Sequence, residues 1–206
     1  MSEPAFSPAA DRNKQPILEM LQQVLPAQGH ALEIASGTGQ HVAWFAQHLP
    51  QWIWQPTDAD APALNSIHAR IAAGQLANAR APLLLDVLSP VWLPADTPLF
   101  DAIYCANMIH IAPWTTCAAL MQGAARHLAP TGMLITYGPY LEGGVPTSPG
   151  NLGFDRDLRL QNPAWGIRQR EDVELEAAQA GLRLAQRFEM PANNLMLLWV
   201  RNAAQS

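Results

Sequence analysis

The chain has 206 residues, 49% of them hydrophobic and 14% charged, with a net charge of −5. That length suits one domain over residues 1–206, since domains usually hold roughly 100 to 200 residues, and the composition excludes a disordered polyelectrolyte. The negative balance opposes the positive field that nucleic acid or an anionic membrane favours, so neither is an expected partner. Cys105 and Cys117 lie in apolar neighbourhoods and fit reduced, buried thiols. The six histidines show no close pair at metal-ligand spacing, so no metal is expected. The opening residues carry no apolar run that could act as a signal, and no segment reaches the roughly 18 apolar residues of a membrane span. A cytoplasmic location is the expectation.

Ile17, Leu18, Leu21, Val24 and Leu25 recur at helical spacing, with Pro16 near the start and Pro26 near the stop. An apolar run at 31–35 then leads through Ser36-Gly37-Thr38-Gly39 into a helical pattern carrying Val42, Phe45, Ala46 and Leu49. Strands are predicted at 52–57, 83–87, 100–106 and 133–137. Helices are predicted around 67–73, at 114–128 and at 172–180, the second of them ended by Pro130 and Gly132. Runs at 182–188 and 195–200, linked by Pro191-Ala192-Asn193-Asn194, read as a closing hairpin. Strands alternating with helices imply an α/β fold, a doubly wound, mostly parallel seven-stranded sheet with a C-terminal antiparallel hairpin. Residues 138–165, rich in Gly, Pro, Asn and Ser, read as a long connection, and together with the N-terminal helix they are the expected lid elements.

Doubly wound sheets take ligands beyond the carboxyl ends of their strands, and those ends carry suggestive groups here. Gly37 and Gly39 permit a tight turn and close backbone approach after the first strand. Glu33 lies in that strand, Asp58 at the end of the second and Asp86 at the end of the third. A carboxylate on the second strand can accept both ribose hydroxyls, an acid on the third can accept an adenine amino group, and Glu33 suits a cationic amino-acid tail. The set describes S-adenosylmethionine. A dinucleotide is the competing ligand, because Gly37-x-Gly39 begins like G-x-G-x-x-G and Asp58 follows about 20 residues on. Val42 stands where the third small residue would fall, and Glu33 adds charge unwelcome to a pyrophosphate.

Glu33-Ile34-Ala35-Ser36-Gly37-Thr38-Gly39 resembles the first motif of class I S-adenosylmethionine-dependent methyltransferases, E/D-x-G-x-G-x-G, with Ala35 in place of the first glycine. More narrowly, residues 7–14, Asn107-Met108-Ile109-His110-Ile111, Tyr137-Gly138-Pro139-Tyr140 and 190–194 resemble the small methyltransferase-like family catalogued as a domain of unknown function. The resemblance implies a Rossmann-like fold with seven strands, the last antiparallel. It implies that Gly37 and Gly39 meet the methionine end of the cofactor, Asp58 the ribose, and Asp86 with the Val87 backbone the adenine, and Glu33, Ala35 and Ser36 are expected cofactor-binding residues beside them. Asn107 and Met108 would line the cofactor's other side. Asp60 is an alternative to Asp58, Asp86 could instead serve a turn, and His41 could be a cofactor contact or a solvated cap.

The fourth strand end carries Asn107-Met108-Ile109-His110 rather than Asn or Asp followed by Pro-Pro-aromatic, which lowers the weight of DNA amines and protein amides as acceptors. The expected activity is methyl transfer from S-adenosylmethionine to a small-molecule acceptor, leaving S-adenosylhomocysteine. The departing thioether is neutral, so a base matters only if the acceptor must lose a proton. His110 is the expected base because an ordinary histidine titrates near roughly 6.5, with Tyr137 as a second catalytic candidate. Arg12, Asn13, Lys14, Tyr140, Asn193 and Asn194 are the candidate acceptor-binding residues. Arg156, Arg159, Arg168 and Arg170 read as a solvated charged surface, interspersed with acids, and Trp114 and Trp165 read as packing. A methyltransferase-fold binding or assembly module without turnover is the alternative function, with an NAD-dependent oxidoreductase behind it.

Overall fold

The computed structural model describes residues 3–202 and resolves into two compact units, one up to Tyr104 and one from Cys105 onward. In the first, helix α1 (Pro8–Val24) precedes strand β1 (Gly29–Ile34) and helix α2 (Gln40–His48). Strand β2 (Trp52–Asp58), helix α3 (Ala61–Ala73), a two-residue strand β3 (Leu83–Leu84) and strand β4 (Phe100–Ala106) follow. The strand order is β3-β2-β1-β4, with β1 and β2 parallel in the register Gly29 to Trp52 through Glu33 to Pro56. The order reverses beside β1, and doubly wound sheets in general take ligands at the carboxyl ends of the strands that flank such a reversal. Ile17, Leu18 and Leu21 of α1, Val42 and Phe45 of α2 and Ile67 of α3 are buried, together with Leu32, Ile34, Trp52 and Trp54 of the strands.

α1 begins well before its apolar positions. The Ser7 side chain accepts the Ala10 N–H, and Pro8 opens the helix where its missing donor costs nothing. Arg12, Asn13 and Lys14 are therefore inside the helix and not before it, and Pro16 sits in its interior. β3 is shorter than its apolar run predicts. Leu83 and Leu84 pair with Thr57 and Asp58, but the chain then turns, so Asp86 lies beyond the strand.

The second unit holds helix α4 (Thr115–His127), strand β5 (Leu128–Leu141), helix α5 (Pro149–Gln161), a short strand β6 (Arg168–Gln169), helix α6 (Arg170–Gln179) and the hairpin β7 (Leu182–Met190) to β8 (Asn194–Arg201). β8 runs antiparallel between β5 and β7, from Met133–Val200 to Pro139–Asn194 on one side, and β6 pairs parallel with β5. β5 runs straight through Pro130 and Gly132, the residues expected to end the preceding helix. Residues 138–165 are not one irregular connection, for the Ser148 side chain accepts the Asn151 N–H and starts the three-turn helix α5. The fold is α/β, with a mostly parallel sheet and antiparallel C-terminal strands. No helix among the described residues is long and apolar enough to cross a membrane.

Candidate functional site

β1 delivers its chain into a turn dominated by left-handed backbone. Ala35, Gly37 and Gly39 have φ of 55°, 55° and 76°. A side chain at Gly37 would meet nothing within 4 Å, whereas a Cβ at Gly39 would come within 2.8 Å of the Ile67 Cα. Gly39 thus permits α3 to approach the turn, and Gly37 leaves open space over it. The turn is tied to β2 by the Ser36 N–H donating to Thr57 O at 2.8 Å and the Gly37 N–H donating to Asp58 Oδ2 at 2.7 Å. Asp58 Oδ1 accepts the Asp60 N–H at 2.9 Å, so Asp60 supports Asp58 through its backbone. α2 starts at Gly39 with no side-chain cap.

Glu33 lies beneath this turn, 2% exposed, and its Oε2 has no hydrogen-bond partner. Burial pushes its carboxyl up to about 8; the nearby charge of Asp58 adds to the rise and a hydrogen bond with Ser36 opposes it. A neutral acid at pH 7 does not repel a pyrophosphate as the sequence argument supposed. Its orphaned oxygen is nevertheless a buried acceptor suited to an ammonium group, which would favour its ionised form.

His41, the second residue of α2, is neither solvated nor a cap. It is buried, stacked on Phe45 at 5.4 Å between centroids, with Nε2 2.7 Å from Asn13 Oδ1 and Nδ1 3.3 Å from the Tyr104 hydroxyl. Burial lowers it to about 4, against a hydrogen bond with the Ala10 backbone and with the Lys14 charge contributing, so the ring is neutral at pH 7. Asn13 is therefore committed to holding α1 on α2. Lys14 pairs with Asp11 and lies 4.8 Å from the Trp44 ring centroid, while Arg12 is exposed. Asp86 is exposed in its turn, with Oδ1 accepting the Leu88 N–H at 2.9 Å. Val87 is buried, and its carbonyl accepts the Trp92 indole N–H at 3.0 Å.

The second unit gathers Asn107, His110, Gly138 and Phe154. Asn107 is left-handed at φ 60° and donates its N–H to the Tyr137 carbonyl at 2.8 Å. Met108 is half-buried and closes a turn by accepting the Ile111 N–H. The His110 ring lies so close to Gly138 that a Cβ there would stand 3.1 Å from its Cε1, and Phe154 of α5 meets the ring edge-on at 5.6 Å. His110 is 4% exposed, and burial with the Arg168 charge lowers it to about 4. That removes the near-neutral titration on which its choice as a base rested.

Arg168 is not a solvated surface group: it donates to the carbonyls of Ile109, Ala112 and Ala164 and stacks 5.6 Å from the Trp114 ring centroid. Arg170 and Arg187 likewise converge on Glu142, whose carboxyl their hydrogen bonds hold low, Arg187's above all. Tyr137 and Tyr140 are buried, and the Tyr140 hydroxyl donates to Thr136 Oγ1 at 2.9 Å. Asn193 accepts the Ser148 N–H at Oδ1 and the Asn151 amide at its carbonyl, so it holds the start of α5, while Asn194 donates back to Pro191 O. Gln40, Ser66 and Arg70, which sequence reasoning passed over, all bond to the glycine turn. Only the position of Gln40, directly after Gly39, could have signalled it.

A β1–glycine turn–α2 unit with acids at the strand ends, on a mostly parallel sheet closed by an antiparallel hairpin, is the Rossmann-like fold of class I S-adenosylmethionine-dependent methyltransferases. The chain belongs to the family described as "Protein of unknown function (DUF938)", whose model matches residues 4–201. Among solved structures it is similar to an O-methyltransferase family protein from Burkholderia thailandensis, with 14% identity and a TM-score of 0.77 over 96% of this chain and 59% of that one. It is also similar to the S-adenosylmethionine-dependent methyltransferase SibL in its apo form, with 16% identity and a TM-score of 0.77 over 95% and 56%. SAH-bound CalO1, a methyltransferase in calicheamicin biosynthesis, matches with 14% identity and a TM-score of 0.73 over 94% and 54%. The chain thus spans little more than half the length of these structures.

Proposed function

We propose that this chain binds S-adenosylmethionine and transfers its methyl group to a small-molecule acceptor. The observation that carries the reading is the buried, unpartnered Glu33 Oε2 beneath a turn whose Gly37 leaves open space. Glu33 would hold the ligand's amino group, Asp58 its ribose hydroxyls, and Asp86 with the Val87 backbone its adenine. Ala35, Ser36, Gly37 and Gly39 would shape the turn around its methionine end. The bound cofactor supplies an electrophilic methyl on a sulfonium, so the protein's part is chiefly alignment and exclusion of water. In the second unit, neutral His110 can accept a hydrogen bond from an acceptor hydroxyl or amine, and Tyr137 fixes Asn107 through its carbonyl. The names of the similar structures, O-methyltransferases among them, support the same chemistry.

A cofactor-binding module without turnover is the second reading, favoured by the low basicity of His110. Calorimetric titration of S-adenosylhomocysteine and NAD into the wild-type protein and Asp58→Ala tests the cofactor assignment. Binding of the adenosyl ligand alone, weakened at least about tenfold in the variant, is expected from a lost charge-assisted hydrogen bond. Binding of NAD alone overturns the reading. Radiolabelled methyl transfer to a panel of phenols, amines and thiols then separates turnover from mere binding.

A further inference from the structure

The backbone of residues 5–7 is held against the glycine turn by three side chains, and each of the three also holds Thr38. Gln40 Oε1 accepts the Ser7 N–H at 2.6 Å and the Thr38 hydroxyl at 2.9 Å, while its Nε2 donates to Ser7 O. Ser66 Oγ accepts the Ala5 N–H at 2.8 Å and donates to Thr38 O at 3.0 Å. Arg70 donates from Nε to the same Thr38 carbonyl at 3.0 Å and from Nη2 to Ala5 O at 2.5 Å. Apolar burial adds little to these bonds, for Ala5 is exposed, Phe6 is 64% exposed, and a groove of about 360 Å³ lined by Phe6, Gln40 and Arg70 runs beside them. A segment held mainly by polar contacts at the surface opens at low cost.

We propose that Gln40, Ser66 and Arg70 are positioning residues that couple closure of this N-terminal strap to ordering of the Ser36–Gly39 turn, so that an S-adenosyl ligand on the turn and the closed strap favour each other. The coupling rests on the cofactor reading above. Its physical basis is shared partners: with the strap open, each of the three side chains loses one of its two anchors and holds Thr38 less firmly. A ligand that needs the ordered turn then binds more weakly, and by linkage the same ligand favours closure by the same factor.

Ala5→Pro tests this from the strap side, since it removes the N–H that donates to Ser66 while leaving Gln40, Ser66, Arg70 and the turn unchanged in sequence. It is compared with Arg70→Ala, with Ser66→Ala, and with Ser66→Thr, which keeps the hydroxyl. S-adenosylhomocysteine is the probe, read by calorimetry and by thermolysin cleavage at Phe6. The first three variants are expected to weaken binding roughly three- to tenfold, the scale of one hydrogen bond, with Ser66→Thr within about twofold of wild type. Bound ligand is expected to protect Phe6 from cleavage in the wild-type protein and less so in the variants. In ligand-free protein, amide exchange at Gly39, whose N–H donates to Ser36 O, is expected to quicken by a similar factor in Ala5→Pro. Wild-type binding with unchanged affinity in Ala5→Pro overturns the coupling, whatever the two variants that also lose a bond to Thr38 do, and leaves the cofactor reading intact. Failure of the wild type to bind overturns the cofactor reading, and the ligand-free exchange then decides whether strap and turn are coupled.

Discussion

The Gly37 amide donates to Asp58 Oδ2 at 2.7 Å, so the acid expected to face a ribose also braces the turn expected to face the methionine end. Asp58→Ala removes this bond and the one from the Asp60 amide. It is expected to lower stability by about 1 to 2 kcal/mol as well as weakening S-adenosylhomocysteine binding. Urea denaturation beside calorimetry separates the two effects. Unchanged stability would mean that Asp58 only meets ligand.

Gly37 and Gly39 are expected to part company when replaced by Ala. At Gly39 the new Cβ meets the Ile67 backbone and adopts φ 76°, so Gly39→Ala is expected to cost about 2 to 4 kcal/mol of stability. At Gly37 only the backbone conformation costs, about 1 kcal/mol, yet the Cβ enters the space a ligand needs. Gly37→Ala should therefore lose affinity out of proportion to stability. Equal behaviour of the two variants in paired denaturation and binding curves would contradict this placement of the site.

Ala35 stands at φ 55°, where a Cβ is strained. Ala35→Gly is expected to raise stability by about 0.5 kcal/mol after the added freedom of the unfolded chain is subtracted, and Ala35→Val to lower it by more than about 1 kcal/mol. A loss of stability in Ala35→Gly would show that the methyl group packs usefully.

How well the sequence could be read depended on how local each signal was. β4 falls at the expected residues because its apolar run is bounded at both ends, and the glycine turn announces itself through residue types that left-handed backbone demands. α5 was hidden because its anchors, Asn151 and Asn193, are about 40 residues apart and its composition mimics a loop. β5 continues through Pro130 and Gly132, whose residue types on their own suggest a break. His41 and His110 could be found as residue types, but their basicity depends on burial by distant elements, which no local pattern reports.

Glu33 gives the stability a pH signature. Its folded value is raised to about 8 from 4.5, so its contribution is fully present below about 4.5 and is lost as pH rises through about 8. Glu33→Gln, which cannot ionise, lacks that loss, so the stability of the variant relative to the wild type is expected to rise steadily from pH 5 to pH 8. His41 and His110, lowered to about 4 from 6.5, make stability rise with pH between those values, but they do so in both proteins and drop out of the difference. Parallel denaturation profiles would refute the buried, unpartnered state of Glu33.

Asn193 pins α5 through acceptor atoms alone, taking the Ser148 N–H and the Asn151 amide, from a left-handed backbone at φ 54°. Asn193→Asp keeps the side-chain acceptor, whereas Asn193→Gly keeps the backbone freedom and the carbonyl that takes the Asn151 amide but loses Oδ1, the acceptor of the Ser148 N–H. The glycine variant is expected to loosen α5 and move Phe154 off His110, changing the ring-current shift of the His110 Cε1 proton in NMR spectra. The aspartate variant is expected to leave it near its wild-type position, and matching changes in both would remove the latch.

Thermal unfolding with S-adenosylhomocysteine, S-adenosylmethionine and NAD in parallel decides the cofactor class most directly. At about 100 times the dissociation constant a ligand adds roughly 2.7 kcal/mol, which for a chain of this length is a rise of about 5 to 10 °C. The expected result is that rise with both adenosyl ligands and none with NAD. No shift with either adenosyl ligand at millimolar concentration, or a shift with NAD alone, would contradict the proposal that Glu33, the glycine turn and Asp58 form an S-adenosylmethionine site.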